Sequence, residues 1–279
     1  MATSFPHRAG SRHTGPVPEI LEVELYRRSV TDLVGRRIVQ VRCPDAWYIR
    51  RAGTVGVVTA TLEGAEIVGV RRLGKLLMLQ CRSPDLTIVV GLRFGMTGRP
   101  LIDRRAAPLS LEYASNEVDE SWIRFALVFD GGGMLRICDP RRLGSVEFDP
   151  DLAKLGPDAF ELTDVELVRA LRSSRAIKAV LLDQSCIAGL GNMLVDEVLW
   201  RAAIDPARPA GSITAAECRG LVHTIRIVLP ELLDRGGSHV GDLAVGLRRV
   251  GALCPIDGAP LSRRQIGGRS TYSCPTHQH

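Results

Sequence analysis

The chain has 279 residues, a formal net charge of +5 and a pI of about 9.0. Its length suffices for two modest domains, and its 45% hydrophobic content supports ordinary globular cores. No apolar run reaches the roughly 18 residues that a membrane span requires, and seven irregularly spaced cysteines argue against a disulfide framework. We therefore expect a globular protein of a reducing cytosol, whose basic charge is compatible with a polyanionic partner.

The first half of the chain predicts a helix followed by many strands. Residues 1–17 are polar and lack hydrophobic periodicity, which predicts disorder. Pro18 and Glu19 open a predicted helix that ends at Gly35. Up to residue 150, short β-branched runs alternate with turns, which favours a β-sandwich or a β-barrel. The run over residues 54–62 is one of these predicted strands, and residues 130–133 form a predicted hairpin turn.

The second half changes to helical spacing of apolar residues. Thr163 with Glu166, and Thr214 with Glu217, are capping-box signatures at predicted helix starts. These helices make residues 151–236 a separate domain. Residues 237–279 form a tail in which two cysteine-containing turns flank strand-like residues. The fold class expected is therefore multidomain α+β.

Two turns in the tail each carry a pair of possible metal ligands. Cys254 and Asp257 are separated by two residues, and so are Cys274 and His277. This spacing lets both side chains of a tight turn face one ion, and four such ligands suit a structural Zn²⁺. His279 could replace His277 or Asp257. Alternatively, the metal site has decayed and both cysteines are merely buried thiols.

Two other segments have the composition of phosphate-binding elements. Arg269 follows Gly267 and Gly268, so a tight hairpin would present its guanidinium to phosphate. Asn192 ends a glycine-rich turn and opens a helix whose backbone amides can bind an anion, with Lys178 on the preceding helix. The alternatives are a solvated hairpin face and an ordinary helix cap.

Two loops carry side chains that could fill the gap left by an extruded base. Arg141 and Leu143 lie on a turn bracketed by Pro140 and Gly144, and Met96 lies on a second loop between glycines. Taken alone, the first loop would be a surface turn and Met96 a core residue.

Lysine is rare in this chain. Of 36 basic residues only Lys75, Lys154 and Lys178 are lysine. The excess of arginine indicates a genome-wide codon preference. A lysine that survives this preference marks a position where the planar fork of arginine is a poor substitute for a compact point charge. Chance is the alternative for any one of them.

Together and in this order, the segments resemble the formamidopyrimidine-DNA glycosylase / endonuclease VIII family from about residue 18 to the end. The stretches that carry the resemblance are Val17–Glu24, Leu73–Lys75, Gly95–Gly98, Asp139–Gly144, Ile177–Lys178, Leu181–Gln184, Gly189–Asn192 and Gly267–Tyr272. Lys75 and Lys178 both fall on lysines of the family's motifs.

The resemblance implies a catalytic β-sandwich over residues 18–150, a helix–two-turns–helix DNA-binding domain over 151–236 and a zinc-finger hairpin over 237–279. It implies a monomeric base-excision-repair glycosylase with AP lyase activity on damaged double-stranded DNA, located at the nucleoid in the bacterial cytoplasm. The implied site comprises Pro18 as amine nucleophile, Glu19 as acid/base and Lys75 beside them, with Met96, Arg141, Leu143, Lys178, Asn192 and Arg269 as DNA contacts.

The chain departs from the family pattern at its start. Pro18 is internal as written, and an amide nitrogen has no lone pair to donate, so it cannot act as a nucleophile in that form. We expect residues 1–17 to be upstream sequence from a mis-assigned start, because a GTG codon reads as Val17 internally but as methionine at a start. The alternatives are a non-catalytic damaged-DNA-binding paralogue and a zinc-hairpin protein that binds other nucleic acids.

Further departures bear on the substrate. Gly91 stands near the place of a family histidine, and Arg93 could replace that histidine as a phosphate contact. Leu143 replaces phenylalanine, and the segment from Gly237 to Cys254 is short for a loop that caps 8-oxoguanine. Oxidised pyrimidines, ring-opened purines and abasic sites are therefore expected beside or in place of 8-oxoguanine.

Overall fold

The computed structural model describes residues 17–103, 105–106, 119–243, 245–249 and 251–279. The disorder predicted before Val17 lies outside these ranges. The helices are α1 Ile20–Val30, α2 Val55–Leu62, α3 Asp164–Ala170, α4 Ile177–Leu181, α5 Asn192–Arg201 and α6 Ala215–Arg235. The strands are β1 Ile38–Arg42, β2 Glu66–Leu73, β3 Leu76–Arg82, β4 Thr87–Arg93, β5 Arg99–Ile102, β6 Arg105–Ala106, β7 Ile123–Phe129, β8 Met134–Cys138, β9 Ser145–Phe148, β10 Ser262–Ile266 and β11 Arg269–Ser273.

The first nine strands form the expected β-sandwich. One antiparallel sheet has the order β1-β7-β8-β5-β6, the other has β2-β3-β4-β9, and one apolar core joins them. The predicted hairpin turn joins β7 to β8 through Gly131, Gly132 and Gly133, all at positive φ. The α+β prediction is confirmed.

The predicted strand over residues 54–62 is wrong, because these residues form helix α2. The Thr54 hydroxyl accepts a hydrogen bond from the Val57 amide and caps the helix. Val58 and Leu62, four residues apart, are the buried positions, so only one helical face packs on the sandwich. The local cap and this single buried face outweigh the β propensity of the valines.

Helix α1 belongs to two cores at once. Its Val23, Tyr26 and Val30 lie in the sandwich core, whereas Ile20 and Leu21 lie in the core of the helical domain. The first turn of α1 therefore lies at the junction of the two domains.

The start of α1 differs from the prediction by one residue. Glu19 is the N-cap, so Pro18 precedes the cap instead of opening the helix. The Glu19 amide donates to the Glu22 carboxylate at 2.9 Å, as a capping box requires. The capping boxes predicted at Thr163 and Thr214 are both present.

Polar contacts also hold the junction. Arg72 at the end of β2 pairs with Asp158 at 2.6 Å and with Glu24 at 3.2 Å. The Gly74 amide also donates to Asp158, at 2.7 Å. A Cβ on Gly74 would lie 2.7 Å from that of Ala188, so the β2–β3 turn meets the helical domain closely. This turn carries Lys75.

The helical domain ends in the predicted hairpin, and β10 and β11 turn at Gly267 and Gly268, both at positive φ. Across the described ranges, no helix is both long and apolar enough to cross a membrane.

Candidate active site and DNA-binding surface

Glu19 is buried at the domain junction and is held by the start of α5. Its carboxylate accepts hydrogen bonds from the backbone amides of Gly191 at 2.9 Å, Met193 at 2.8 Å and Leu194 at 3.1 Å. The positive end of a helix therefore faces the carboxylate. Burial nevertheless raises the pKa of Glu19, against the lowering effects of Lys75 and the backbone amides. The site can thus hold a proton on this carboxyl.

Two glycines make the approach of α1 to α5 possible. A Cβ on Gly191 would lie 2.2 Å from the Glu19 carboxyl carbon, and one on Gly189 would lie 2.4 Å from the Ile20 Cδ1. The Ile20 amide also donates to the Gly189 carbonyl at 3.0 Å. The glycine-rich turn therefore serves close packing against the first turn of α1.

A cavity of about 250 Å³ opens beside Pro18. It is lined by Pro18 just before the α1 N-cap, Lys75 from the β2–β3 turn, Arg93 from the end of β4 and Leu143 from the loop after β8. Residues that are over 100 positions apart thus meet around one proline. The cavity has the size of a small ligand group and a basic lining.

Lys75 is half-buried beside Glu19. Burial lowers the pKa of its ammonium, while the carboxylates of Glu19 and Glu22 raise it and Arg269 lowers it further. Lys75 therefore lies close enough to both Glu19 and Arg269 to interact with them electrostatically. A lysine of lowered pKa near a carboxyl of raised pKa is typical of a catalytic site.

Asp139 joins the two loops that were predicted to fill the gap in the base stack. One of its oxygens accepts from the Thr97 hydroxyl at 2.6 Å and the other from the Gly144 amide at 2.8 Å. Met96 and Leu143 project from these joined loops with exposed side chains, and Arg141 is exposed beside them. The buried carboxylate therefore sets the spacing between the three side chains.

Lys178 is placed differently from Met96, Arg141 and Leu143, the exposed side chains that were also predicted to contact DNA. Its side chain is 0% exposed, and its ammonium donates to Asp196 at 2.6 Å and to the Ser270 carbonyl at 3.3 Å. A buried ammonium needs such partners, because desolvation is costly for an unpaired charge. In this conformation Lys178 contacts the hairpin and offers no surface to a phosphate.

Asn192 contacts the β10–β11 hairpin at Ser270, the residue that follows Arg269. The Asn192 side-chain amide donates to the Ser270 carbonyl at 3.1 Å, and its Oδ1 has no hydrogen-bond partner within the described part of the chain. Arg269 at the hairpin tip is exposed. The tip is therefore fixed to the start of α5, next to the amides that hold Glu19.

The four predicted metal ligands come together in the tail. The ligand atoms of Cys254, Asp257, Cys274 and His277 all lie within 4.8 Å of one another. The Ala259 amide lowers the pKa of Asp257 to about 2, so this carboxylate is ionised as metal binding requires. The donor set therefore fits a tetrahedral divalent ion, and His279 takes no part in it.

Trp200 at the end of α5 fixes two of these ligands. Its indole N–H lies 3.4 Å from the Cys254 sulfur, and its carbonyl lies 3.1 Å from His277 Nε2. A proton on Nε2 leaves Nδ1 free to face the cluster, 3.2 Å from Asp257. Trp200 therefore holds one thiol and the imidazole of the cluster in position.

Family models match most of the chain. The formamidopyrimidine-DNA glycosylase N-terminal domain matches residues 17–146, and the formamidopyrimidine-DNA glycosylase H2TH domain matches residues 155–243. The chain belongs to the formamidopyrimidine-DNA glycosylase family. The formamidopyrimidine-DNA glycosylase of Halalkalibacterium halodurans is 34% identical over 92% of this chain and 98% of its own. That of Thermus thermophilus is 35% identical over 94% and 98%.

Solved structures of the formamidopyrimidine-DNA glycosylase family have the same fold. The Lactococcus lactis Fpg (MutM) bound to DNA with an N7-benzyl-Fapy-dG has a TM-score of 0.79 at 25% identity, covering 94% of this chain and 100% of its own. The L. lactis protein with a THF-DNA and an inhibitor has a TM-score of 0.78 at 26% identity and the same coverage.

Gln184 lines the site of this family member but is absent from the predicted site residues, although it belongs to the Leu181–Gln184 motif. Its amide nitrogen donates to the carbonyls of Leu182 and Leu190, and its oxygen accepts from the Gly189 amide, all at 2.9 Å. Gln184 also lines the Pro18 cavity. Its position after a short helix and before the glycine-rich turn was the available signal.

Proposed function

We propose that the protein excises damaged bases from double-stranded DNA and then cleaves the backbone at the abasic site. The observation that carries this proposal is the cavity at Pro18, beside a buried Glu19 of raised pKa and the Lys75 ammonium. It acts as a monomer, and its expected location is the bacterial nucleoid. Ring-opened purines and oxidised pyrimidines are the substrate class that we propose.

Pro18 supplies the nucleophile. The lone pair of its secondary amine forms a bond to C1′ of the damaged nucleotide, and the C1′–N bond breaks as the base leaves with the electron pair. The departing base takes the proton that the amine loses. Glu19 delivers its own proton to O4′ as the C1′–O4′ bond breaks, which leaves an iminium between Pro18 and C1′. The Glu19 carboxylate then takes a 2′ proton, and the electron pair of that C–H bond expels the 3′ phosphate. A covalent intermediate divides one difficult displacement into easier steps.

This chemistry requires a free amine at Pro18. The Val17–Pro18 bond makes the nitrogen an amide, so we propose that the active form begins at Pro18. The family match that begins at residue 17 supports this proposal.

The remaining site residues hold the DNA. Lys75, Asn192 and Arg269 contact phosphates around the extruded nucleotide. Met96, Arg141 and Leu143 occupy the gap in the duplex. Lys178 acts as a positioning residue, because its contacts to Asp196 and Ser270 hold the hairpin tip against α5.

Borohydride trapping on a duplex with an abasic site tests the proposal. We expect a chain that starts at Pro18 to form a covalent adduct, whereas the chain with residues 1–17 attached forms none. Affinity for a duplex with an uncleavable tetrahydrofuran site is measured for both chains as the control. If neither chain cross-links although both bind, the protein is a damaged-DNA-binding protein and the enzyme proposal is overturned. An equal adduct with the longer chain contradicts the role of Pro18.

We also propose that Cys254, Asp257, Cys274 and His277 hold a structural Zn²⁺. The ion would fix the two turns that carry the hairpin, which is the function of a structural zinc site. It takes no part in the chemistry at Pro18.

Zinc content and cobalt spectra test the metal site. We expect about one ion per chain, lost in Cys274→Ser and in His277→Ala but retained in Cys186→Ser, a cysteine outside the cluster. Cobalt loading should give thiolate charge-transfer bands that Cys254→Ser weakens. Metal-free protein with full hairpin stability would contradict the proposal.

A further inference from the structure

Trp47 is the most exposed aromatic side chain among the residues that the structure describes. It lies in the segment between β1 and α2, and 57% of it is exposed. The Arg50 guanidinium lies over its ring, 3.9 Å from the ring centroid, and donates to the Trp47 carbonyl at 2.7 Å. A cation thus covers one face of the indole and fixes the ring, while most of the side chain remains open to solvent.

The Trp47 segment is bonded to the loop that presents Arg141 and Leu143. Asp45 accepts from the Trp47 amide at 3.2 Å and binds the Arg142 guanidinium with both oxygens, at 2.6 and 2.8 Å. Farther along, the Val146 amide donates to the Tyr48 carbonyl at 2.9 Å. These hydrogen bonds therefore fix the position of Trp47 relative to Arg141 and Leu143, the side chains proposed to fill the gap in the duplex.

The segment also reaches the reaction cavity. Arg50 lines it together with Pro18 and Leu143. Trp47 thus lies beside Arg50, which faces the cavity proposed for the extruded nucleotide. It also lies beside the Arg141–Leu143 loop, which is proposed to fill the gap that the nucleotide leaves in the duplex.

We propose that Trp47, with Arg50 behind it, is a stacking platform for a nucleobase next to the damaged nucleotide. The proposal rests on the proposed function, because it concerns DNA bound at the same cavity. Every base has a π-face, so an open aromatic face binds bases without regard to sequence. Trp200, by contrast, is 4% exposed and offers no such face.

Affinity for a duplex with a tetrahydrofuran site, measured by fluorescence anisotropy with the full chain, tests the platform. We expect Trp47→Ala to weaken the affinity roughly tenfold. Trp47→Phe should keep most of the wild-type affinity, because phenylalanine retains an aromatic face. The slope of affinity against salt should stay unchanged in Trp47→Ala, because no phosphate contact is lost. Ile227→Ala, which removes a 49% exposed apolar side chain on α6, is the matched control and should bind like the wild type.

Tryptophan emission gives a second readout that a merely structural role would not change. Stacking on a base should quench the wild-type emission, and Trp47→Phe should remove that quenching while binding persists. Wild-type affinity in Trp47→Ala, or quenching that survives in Trp47→Phe, overturns the platform alone. If the wild-type protein binds no damaged duplex, the proposed function falls and the platform falls with it.

Discussion

Replacing Glu19 with glutamine is expected to slow base excision by roughly two to four orders of magnitude, with little change in affinity for a duplex containing a tetrahydrofuran site. Glutamine keeps the shape of the side chain but has no proton to give up. Its NH₂ group would also face one of the three backbone amides that now donate to the carboxylate. Excision under single-turnover conditions with excess enzyme measures the chemical step.

Glu24→Gln is the matched control, because Glu24 lies on the same helix and pairs with Arg27, Arg28 and Arg72 outside the cavity. Its excision rate should stay near that of the wild type. An unchanged rate in Glu19→Gln would remove Glu19 from the chemistry.

The pH dependence follows from the raised pKa of Glu19. A raised pKa keeps the proton in place above the ordinary range of a glutamate, so excision should decline as pH rises through the raised value. The stability that the protonated carboxyl contributes is fully present below the ordinary pKa and is lost across the same rise. Both dependences should disappear in Glu19→Gln, which urea unfolding and excision rates over a pH series measure.

Replacing Lys178 with methionine is expected to destabilise the protein by about 3–5 kcal/mol, towards the lower end because Arg248 also pairs with Asp196 at 2.7 Å. The loss leaves a fully buried carboxylate without its ammonium partner. Urea unfolding measures the change in free energy. The double variant Lys178→Met with Asp196→Leu should recover only part of it, because it removes two buried charges but leaves the Arg248 guanidinium without its carboxylate partner.

Lys178→Arg distinguishes a buried point charge from a general need for positive charge. The side chain has no exposed surface, so the larger planar fork should also destabilise the fold. A variant with arginine that is as stable as the wild type would contradict this account of why lysine is retained here.

The sequence predicted the parts of the site that depend on short spacings. The capping boxes at Thr163 and Thr214, the glycine turn before Arg269 and each of the two ligand pairs in the tail occupy a few neighbouring residues. The burial of Lys178 was not predictable in this way, because its partners Asp196 and Ser270 come from elements that only tertiary packing brings together. The helix at Val55–Leu62 was missed because valine-rich runs favour strands unless a cap and a one-sided burial decide otherwise.

The sharing of α1 between two cores has a consequence for how the protein is made. Glu19 emerges early from the ribosome, but the amides that hold it belong to residues 172, 174 and 175 positions later. A nascent chain therefore carries the proposed nucleophile and proton donor long before the amides that hold Glu19 have been made. We expect the proposed site to form only when the second domain docks, so a chain truncated before Gly191 should not excise bases.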